Sequence, residues 1–223
     1  MSQRVAVVEK ILSANDRLAA DNRARLDSAG LLGMNLMASP GAGKTSLVEG
    51  TVRGLSGRLR LAVIDGDIAT RLDADRAAAA GATAVQINTG GECHLDAVMV
   101  QSALEQLELE RFDMLLIENV GNLICPASFQ LGTHLSVLVA SVPEGDDKPY
   151  KYPGAYRGVD ALVINKIDLL PYVSFDIDHF RRGVEVLNAG LATFPLSCRT
   201  GEGLDAWLDW VGIQVEAKRR MQT

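Results

Sequence analysis

The chain has 223 residues, 48% of them hydrophobic, and a formal net charge of −6, enough apolar material for one α/β domain with a sizeable core. No basic stripe accompanies that charge, which argues against a nucleic-acid surface and leaves any anionic ligand dependent on local, focused donors. The three cysteines, Cys93, Cys125 and Cys198, are odd in number and far apart, unlike a secreted disulfide framework, and no long apolar run marks a signal peptide or membrane span, so a soluble cytoplasmic protein is expected.

In chain order, residues 3–29 mix Val5, Val8, Ile11, Leu12 and Leu18 with many charges at roughly helical spacing. They predict an amphipathic amino-terminal helix, residues 1–30, ending at Gly30 and standing outside the main core. A short apolar strand, 32–37, then runs into Ala38-Ser39-Pro40-Gly41-Ala42-Gly43-Lys44-Thr45, with Ser46 next in a helix expected at 44–55. This is the pattern of a phosphate-binding loop between strand and helix. Glycines let the backbone wrap a phosphate closely, and the following helix offers the positive end of its dipole. The contact set runs from Gly41, Ala42 and Gly43 through Lys44, Thr45 and Ser46. Lys44 would reach the β- and γ-phosphates and stabilise charge during their transfer, and Thr45 would ligate Mg²⁺. The consensus begins with Gly, and here that place is Ala38.

Further short apolar runs at 60–65, 84–88, 113–118, 135–142, 160–165 and 192–197 read as strands, and helices are expected near 71–80, 95–109, 176–190 and 203–219. Continuous rather than alternating apolarity predicts a mostly parallel seven-stranded sheet covered by helices on both faces. Residues 143–154 are rich in Pro, Gly and Asp and read as a loop. Ligands of such sheets sit outside the carboxyl ends of the strands, so the remaining motifs are expected there.

Strand 160–165 ends in Asn165-Lys166-Ile167-Asp168, the Asn-Lys-x-Asp pattern of guanine-nucleotide proteins. An Asp carboxylate accepts from both the ring N1–H and the exocyclic amine of guanine; adenine lacks that pair of donors, so the wrong base leaves a buried acceptor unpaired. Lys166 would lie against the base or brace the loop, and Asn165 would hold neighbouring loops. Ser197-Cys198-Arg199-Thr200-Gly201-Glu202-Gly203 suits the loop that completes such a pocket with backbone N–H groups, Ser197 and Cys198 being its first wall. The acids available for Mg²⁺ and for the attacking water are Asp65, Asp67, Asp73, Asp75 and Glu118, with the hydroxyl of Thr70 lying between Asp67 and Asp73 in the chain; spacing does not choose between them. Asp67 is the candidate for orienting water, whereas Asp75 and Arg76 read as a solvated first helical turn.

A second constellation is Cys93-His94, just after Gly90-Gly91, with Cys125 before Pro126. Thiol and imidazole ligands suit Zn²⁺ or Ni²⁺, and the glycines permit a turn in which adjacent side chains share an ion. Three ligands leave a fourth position for water or for a symmetry-related subunit. On spacing alone, two buried thiols and a capping histidine are an equally good reading.

Together, Ser39 to Thr45, Asn88-Thr89-Gly90-Gly91-Glu92-Cys93-His94-Leu95-Asp96-Ala97, Ile117-Glu118-Asn119-Val120-Gly121-Asn122-Leu123-Ile124-Cys125-Pro126 and Glu144-Gly145-Asp146-Asp147 closely resemble the HypB family, the nickel-incorporation GTPases of NiFe-hydrogenase maturation. The resemblance spans nearly everything beyond the first helix. It implies a P-loop GTPase domain over residues 31–223 with inserted metal-binding loops, cycling between GTP and GDP and forming a GTP-dependent homodimer. It further implies Cys93, His94 and Cys125 as metal ligands at the dimer interface, Asp73 and Glu118 as Mg²⁺ partners beside Thr45, and Lys151 as a residue reaching the partner's nucleotide. A companion nickel or zinc maturation protein and a hydrogenase large-subunit precursor are the implied protein partners. Some members carry an amino-terminal cysteine cluster or a histidine-rich tract; the histidines here are His94, His134 and His179, and the last two read as structural. The competing readings are a sister nickel GTPase serving urease, whose metal motif is Cys-Pro-His, a P-loop small-molecule kinase, and a nucleotide-gated scaffold with negligible turnover.

Overall fold

The structure, a computed structural model, describes residues 7–67 and 72–221; Val5 and Thr70 lie outside them, as do the side chains of Val8 and Ile11. Helix α1 (Val7–Ser28) precedes β1 (Leu32–Ala38), α2 (Lys44–Leu55), β2 (Leu61–Asp67), α3 (Leu72–Ala80), β3 (Thr83–Asn88) and α4 (Ala97–Leu104). The second half contains β4 (Met114–Glu118), β5 (Leu135–Ser141), α5 (Lys148–Lys151), α6 (Pro153–Arg157), β6 (Ala161–Asn165), α7 (Ile177–Leu187), β7 (Ala192–Pro195) and α8 (Leu204–Arg220). The seven strands form one sheet in the order β3-β2-β4-β1-β5-β6-β7, and every neighbouring pair is parallel.

Burial explains the continuous apolar runs. Every residue of β1, β4 and β6 is buried, and successive side chains point to opposite faces. On β4, Met114 and Leu116 join a core with Leu47, Val52, Trp207 and Val211 of α2 and α8. Leu115 and Ile117 join Leu26, Val100 and Leu104 of α1 and α4 on the other face. The edge strands β3 and β7 are only partly covered.

Three expectations change. The helix expected at 95–109 is Ala97–Leu104, because Asp96 caps it by accepting from the Met99 backbone N–H at 2.8 Å. The strand expected to reach 197 stops at Pro195, leaving Ser197 and Cys198 in the following loop. The stretch read as a loop over 143–154 holds a 3₁₀ turn, Val142–Glu144, then α5 and α6. A capping box between Ser141 and Glu144 starts that turn. His134 is structural as expected: its Nδ1 accepts from Gly33 N–H at 2.9 Å and its Nε2 faces Asp27.

Register sets the site. Glu118 is the partner of Leu36 on one side and of Asp65 on the other, while Asn165 is level with Ser141. The carboxyl ends of β1, β2, β4 and β6 therefore open onto one edge.

Candidate functional site

The loop after β1 reaches α2 through two left-handed glycines, Gly41 and Gly43. A Cβ on Gly43, at φ 102°, would stand 2.3 Å from Asn165 Nδ2, so only glycine fits there. Ala38 ends β1 within the sheet, where no glycine is required. Lys44 is 9% exposed, and burial lowers its pKa against the opposing pull of Glu118, Asp73 and Asp65. Thr45 Oγ1 donates to Glu118 Oε1 at 2.8 Å.

Around this turn lies a cleft of about 440 Å³ lined by Gly41, Gly43, Lys44, Thr45, Ser46, Asp65, Asp67, Asp73, Arg76 and Glu118, among others. Asp65, Asp73 and Glu118 bring carboxylate oxygens within 4.8 Å of one another. Burial, reinforced by neighbouring carboxylates, pushes Asp65 up to about 7, and burial likewise pushes Glu118 up to about 7. Asp65 Oδ2 is buried and has no hydrogen-bond partner among the described residues. A crowded, desolvated set of hard oxygens with one acceptor unused fits a divalent cation. The structure brings Thr45, Asp73 and Glu118 into one cleft, and Asp65, which spacing alone did not single out, joins them. Arg76 is no mere solvated turn: its guanidinium spans Glu49 at 3.1 Å and Asp73 at 3.3 Å at the cleft wall. Asp75, exposed like Arg76, does not line the cleft. Asp67 lines the cleft, and its backbone carbonyl accepts from Thr89 N–H at 3.1 Å.

An adjoining hollow of about 270 Å³ is bounded by Gly43, Ser46, Asn165, Lys166, Asp168, Ser197, Cys198 and Arg199. Asn165 Nδ2 donates to Ala42 O at 3.0 Å, and its Oδ1 accepts from the backbone of Lys166 and Cys198. Lys166, in the left-handed region at φ 62°, donates to Gly41 O at 2.6 Å. Asp168 is held by Ser197 Oγ at 2.5 Å and by Arg199 at 2.9 Å, hydrogen bonds that lower its pKa. A carboxylate offers about four lone-pair directions, so two neighbours leave room for a base edge. Burial pushes the Cys198 thiol up to about 11, which suits a packing residue rather than a nucleophile.

Next to the phosphate cleft, Cys93, His94 and Cys125 place one ligand atom each within 4.8 Å of the others, with Cys93 Sγ 3.7 Å from His94 Nδ1. The Cys125 thiol, sharing a hydrogen bond, raises the pKa of Cys93. The His94 ring packs on Phe129 with centroids 4.0 Å apart. Gly90 and Gly91, both at positive φ, make the turn that lets adjacent side chains converge. Helix α1 splints the two ligand-bearing segments: Asn15 accepts from Ala97 N–H and donates to Gln130 O, both at 2.8 Å. Lys151 is paired with Asp147 and does not line this chain's own phosphate cleft.

Residues 33–195 match the family described as the CobW/HypB/UreG nucleotide-binding domain. A hydrogenase maturation factor HypB of Rhizobium leguminosarum bv. viciae is 48% identical over 222 residues, covering 99% of this chain and 74% of that protein. The chain belongs to the HypB family. The crystal structure of HypB from Archaeoglobus fulgidus superposes with a TM-score of 0.86 at 37% identity, covering 92% of this chain and 100% of that one. HypB from Helicobacter pylori in complex with nickel gives 0.87 at 36% identity, covering 93% and 96%. This family membership sets aside the small-molecule kinase reading and the separate urease GTPase. Among the described residues no helix of this HypB-family chain is long and apolar enough to cross a membrane.

Proposed function

We propose that this chain binds GTP at the 38–46 loop, hydrolyses it with water to GDP and phosphate, and couples that cycle to holding and releasing nickel for a hydrogenase large-subunit precursor. The observation that carries the reading is the proximity of two chemically distinct clusters at one sheet edge. Hard oxygens gather at Asp65, Asp73 and Glu118, and soft ligands gather at Cys93, His94 and Cys125. A single segment, 118–125, begins in the first and ends in the second.

Lys44 and the backbone N–H groups of the loop stabilise charge on the transferring phosphoryl group. Thr45, Asp65, Asp73 and Glu118 would hold Mg²⁺, which when bound would supply positive charge to the phosphates. Asp67 orients the attacking water. Asp168 selects guanine, with Ser197 and Arg199 fixing its carboxylate and Lys166 and Asn165 tying the base loop to the phosphate loop. Nickel is cargo: it displaces protons from Cys93 and Cys125 on binding, so loading is favoured by raising the pH. Zn²⁺ competes for the same thiolates and imidazole. In a GTP-favoured homodimer Lys151 leaves Asp147 and reaches across to the partner's nucleotide, and a companion nickel or zinc maturation protein supplies the metal.

The test is a nickel titration with GDP and with a non-hydrolysable GTP analogue, with mass monitored. Different affinities in the two states and their loss in Cys93→Ala and Cys125→Ala are expected. Equal affinities in both nucleotide states, or retention of the nucleotide-sensitive site in both variants, would overturn the reading.

A further inference from the structure

The reading above requires a physical joint between the nucleotide and the metal, and one side chain lies where such a joint must be. Asn122 follows β4 on the segment that leads to Cys125. Its backbone pairs antiparallel with Ala38, the residue that opens the phosphate loop. The preceding Gly121 is pressed against the same loop: a Cβ there would come within 3.0 Å of Pro40 Cα. Without room for even a methyl group between the two segments there is little slack, so displacement of the phosphate loop is passed to residues 121 and 122.

The Asn122 amide then grips both ligand-bearing segments. Its Nδ2 donates to the Cys93 carbonyl at 3.3 Å, and its Oδ1 accepts from the Ile124 N–H at 2.9 Å, one residue before Cys125. A planar amide cannot move one bond without the other, so it ties the backbone at Cys93 to the backbone at Ile124. Asn119 secures the other side of His94, accepting from Leu95 N–H at 3.0 Å and donating to Asn35 Oδ1 at 3.2 Å. Asn119 is 1% exposed, so its removal would orphan buried polar groups and damage the fold. Asn122 is half-buried, so its side chain is removable without that penalty.

We infer that Asn122 is the positioning residue through which the state of the phosphate loop sets the spacing of the metal ligands. It acts through Ala38 on one side and, on the other, through the Cys125 segment and through Cys93, whose carbonyl and thiol both face its amide. The inference rests on the nucleotide-and-nickel reading proposed above.

The experiment compares nickel affinity in the presence of GDP and of a non-hydrolysable GTP analogue for the whole chain, N122A and N122D. Allosteric couplings of this kind usually lie between about 5-fold and 150-fold, and the unmodified chain is expected in that range. In N122A the ratio should fall below about twofold, with nickel still bound and GDP affinity within about twofold of the parent. N122D keeps the acceptor for Ile124 N–H but loses the donor to Cys93, so its ratio should also collapse. It serves as the second variant should N122A unfold in a circular-dichroism melt. By linkage, nickel should shift GDP affinity in the parent and not in the variants. A parent ratio near one would overturn the coupled reading and this inference with it. A parent ratio preserved in the folded variants, or outright loss of nickel binding in both, would overturn the role of Asn122 while leaving the coupled reading standing.

Discussion

The phosphate cleft and the thiol–imidazole cluster share one sheet edge but are built in opposite ways. The cleft rests on strand ends: Asp65 and Glu118 are register partners on β2 and β4, 1% and 5% exposed, and Lys44 begins a helix packed on the core. The cluster rests on connections, with Cys93 exposed and Cys125 half-buried, held by amides of Asn15, Asn119 and Asn122 and flanked by buried Leu95 and Pro126. Buried strand ends suit the phosphoryl transfer proposed for the cleft, where small displacements are costly. Ligands on connections suit a cargo that must be taken up and given away, since loops move at lower free-energy cost than strands.

The sharpest way to break this contrast is to remove a part from one side and ask whether the other responds. Lys44→Ala should lower GTP turnover by about 100-fold to 1000-fold, the range for deleting one preorganised charge donor, while nickel affinity with GDP bound stays within about twofold; phosphate release and calorimetry read the two. Next in size, Cys125→Ala should weaken nickel binding by at least about 100-fold, beyond the effect of losing an outer-shell partner, with GDP affinity unchanged by titration. Equal loss of both activities in either variant would mean that the two regions are one structure. Asp168→Asn should weaken GDP binding by about tenfold or more, the loss of a hydrogen bond to a charged group, and erase the preference for guanine over adenine in nucleotide competition.

Two smaller effects sharpen the comparison. Phe129→Ala removes the ring beneath His94 and should weaken nickel by roughly 0.5–1.5 kcal/mol, with no change in GTP turnover. At the opposite edge of the sheet, Asp113 is bonded by Arg60 at 2.9 Å and Arg219 at 2.9 Å, and the Arg60 hydrogen bond foremost holds its carboxyl well below the usual range. A depressed carboxylate contributes stability above its unfolded value of 3.8 and loses it as pH falls through the lower folded value. Asp113→Asn should therefore cost about 1 kcal/mol near neutral pH, discounted because Arg60 is open to water. The gap should narrow below about pH 4 in urea unfolding, with both sites unaffected.

Legibility in the sequence followed the locality of each feature. Gly41 to Ser46 are contiguous, so strand, turn and helix start could be read together, and the absence of a leading glycine at Ala38 was harmless because that residue ends a strand. Asn165 and Asp168 were equally local. Asp65 was one acid among several until register placed it beside Glu118, and Arg76 looked solvated until α3 packed against α2 and set it between Glu49 and Asp73. No local spacing signal marks Asn15 or Asn122, whose bonds reach residues 82 and 29 positions away.

What the chain determined by itself was the set of short-range elements: continuous apolar runs that suit parallel strands, and turns whose glycines and capping residues define their own geometry. Family membership came with them, because the Cys-His-Leu-Asp-Ala and Glu-Asn-Val-Gly-Asn strings are long enough to be specific. Only the tertiary structure decided which acids converge, that Cys93, His94 and Cys125 meet rather than being buried apart, and that an asparagine stands between them and the phosphate loop. The reason is physical: backbone propensity acts within a few residues, whereas convergence of ligands depends on strand register and loop closure, which are fixed only when the whole sheet packs.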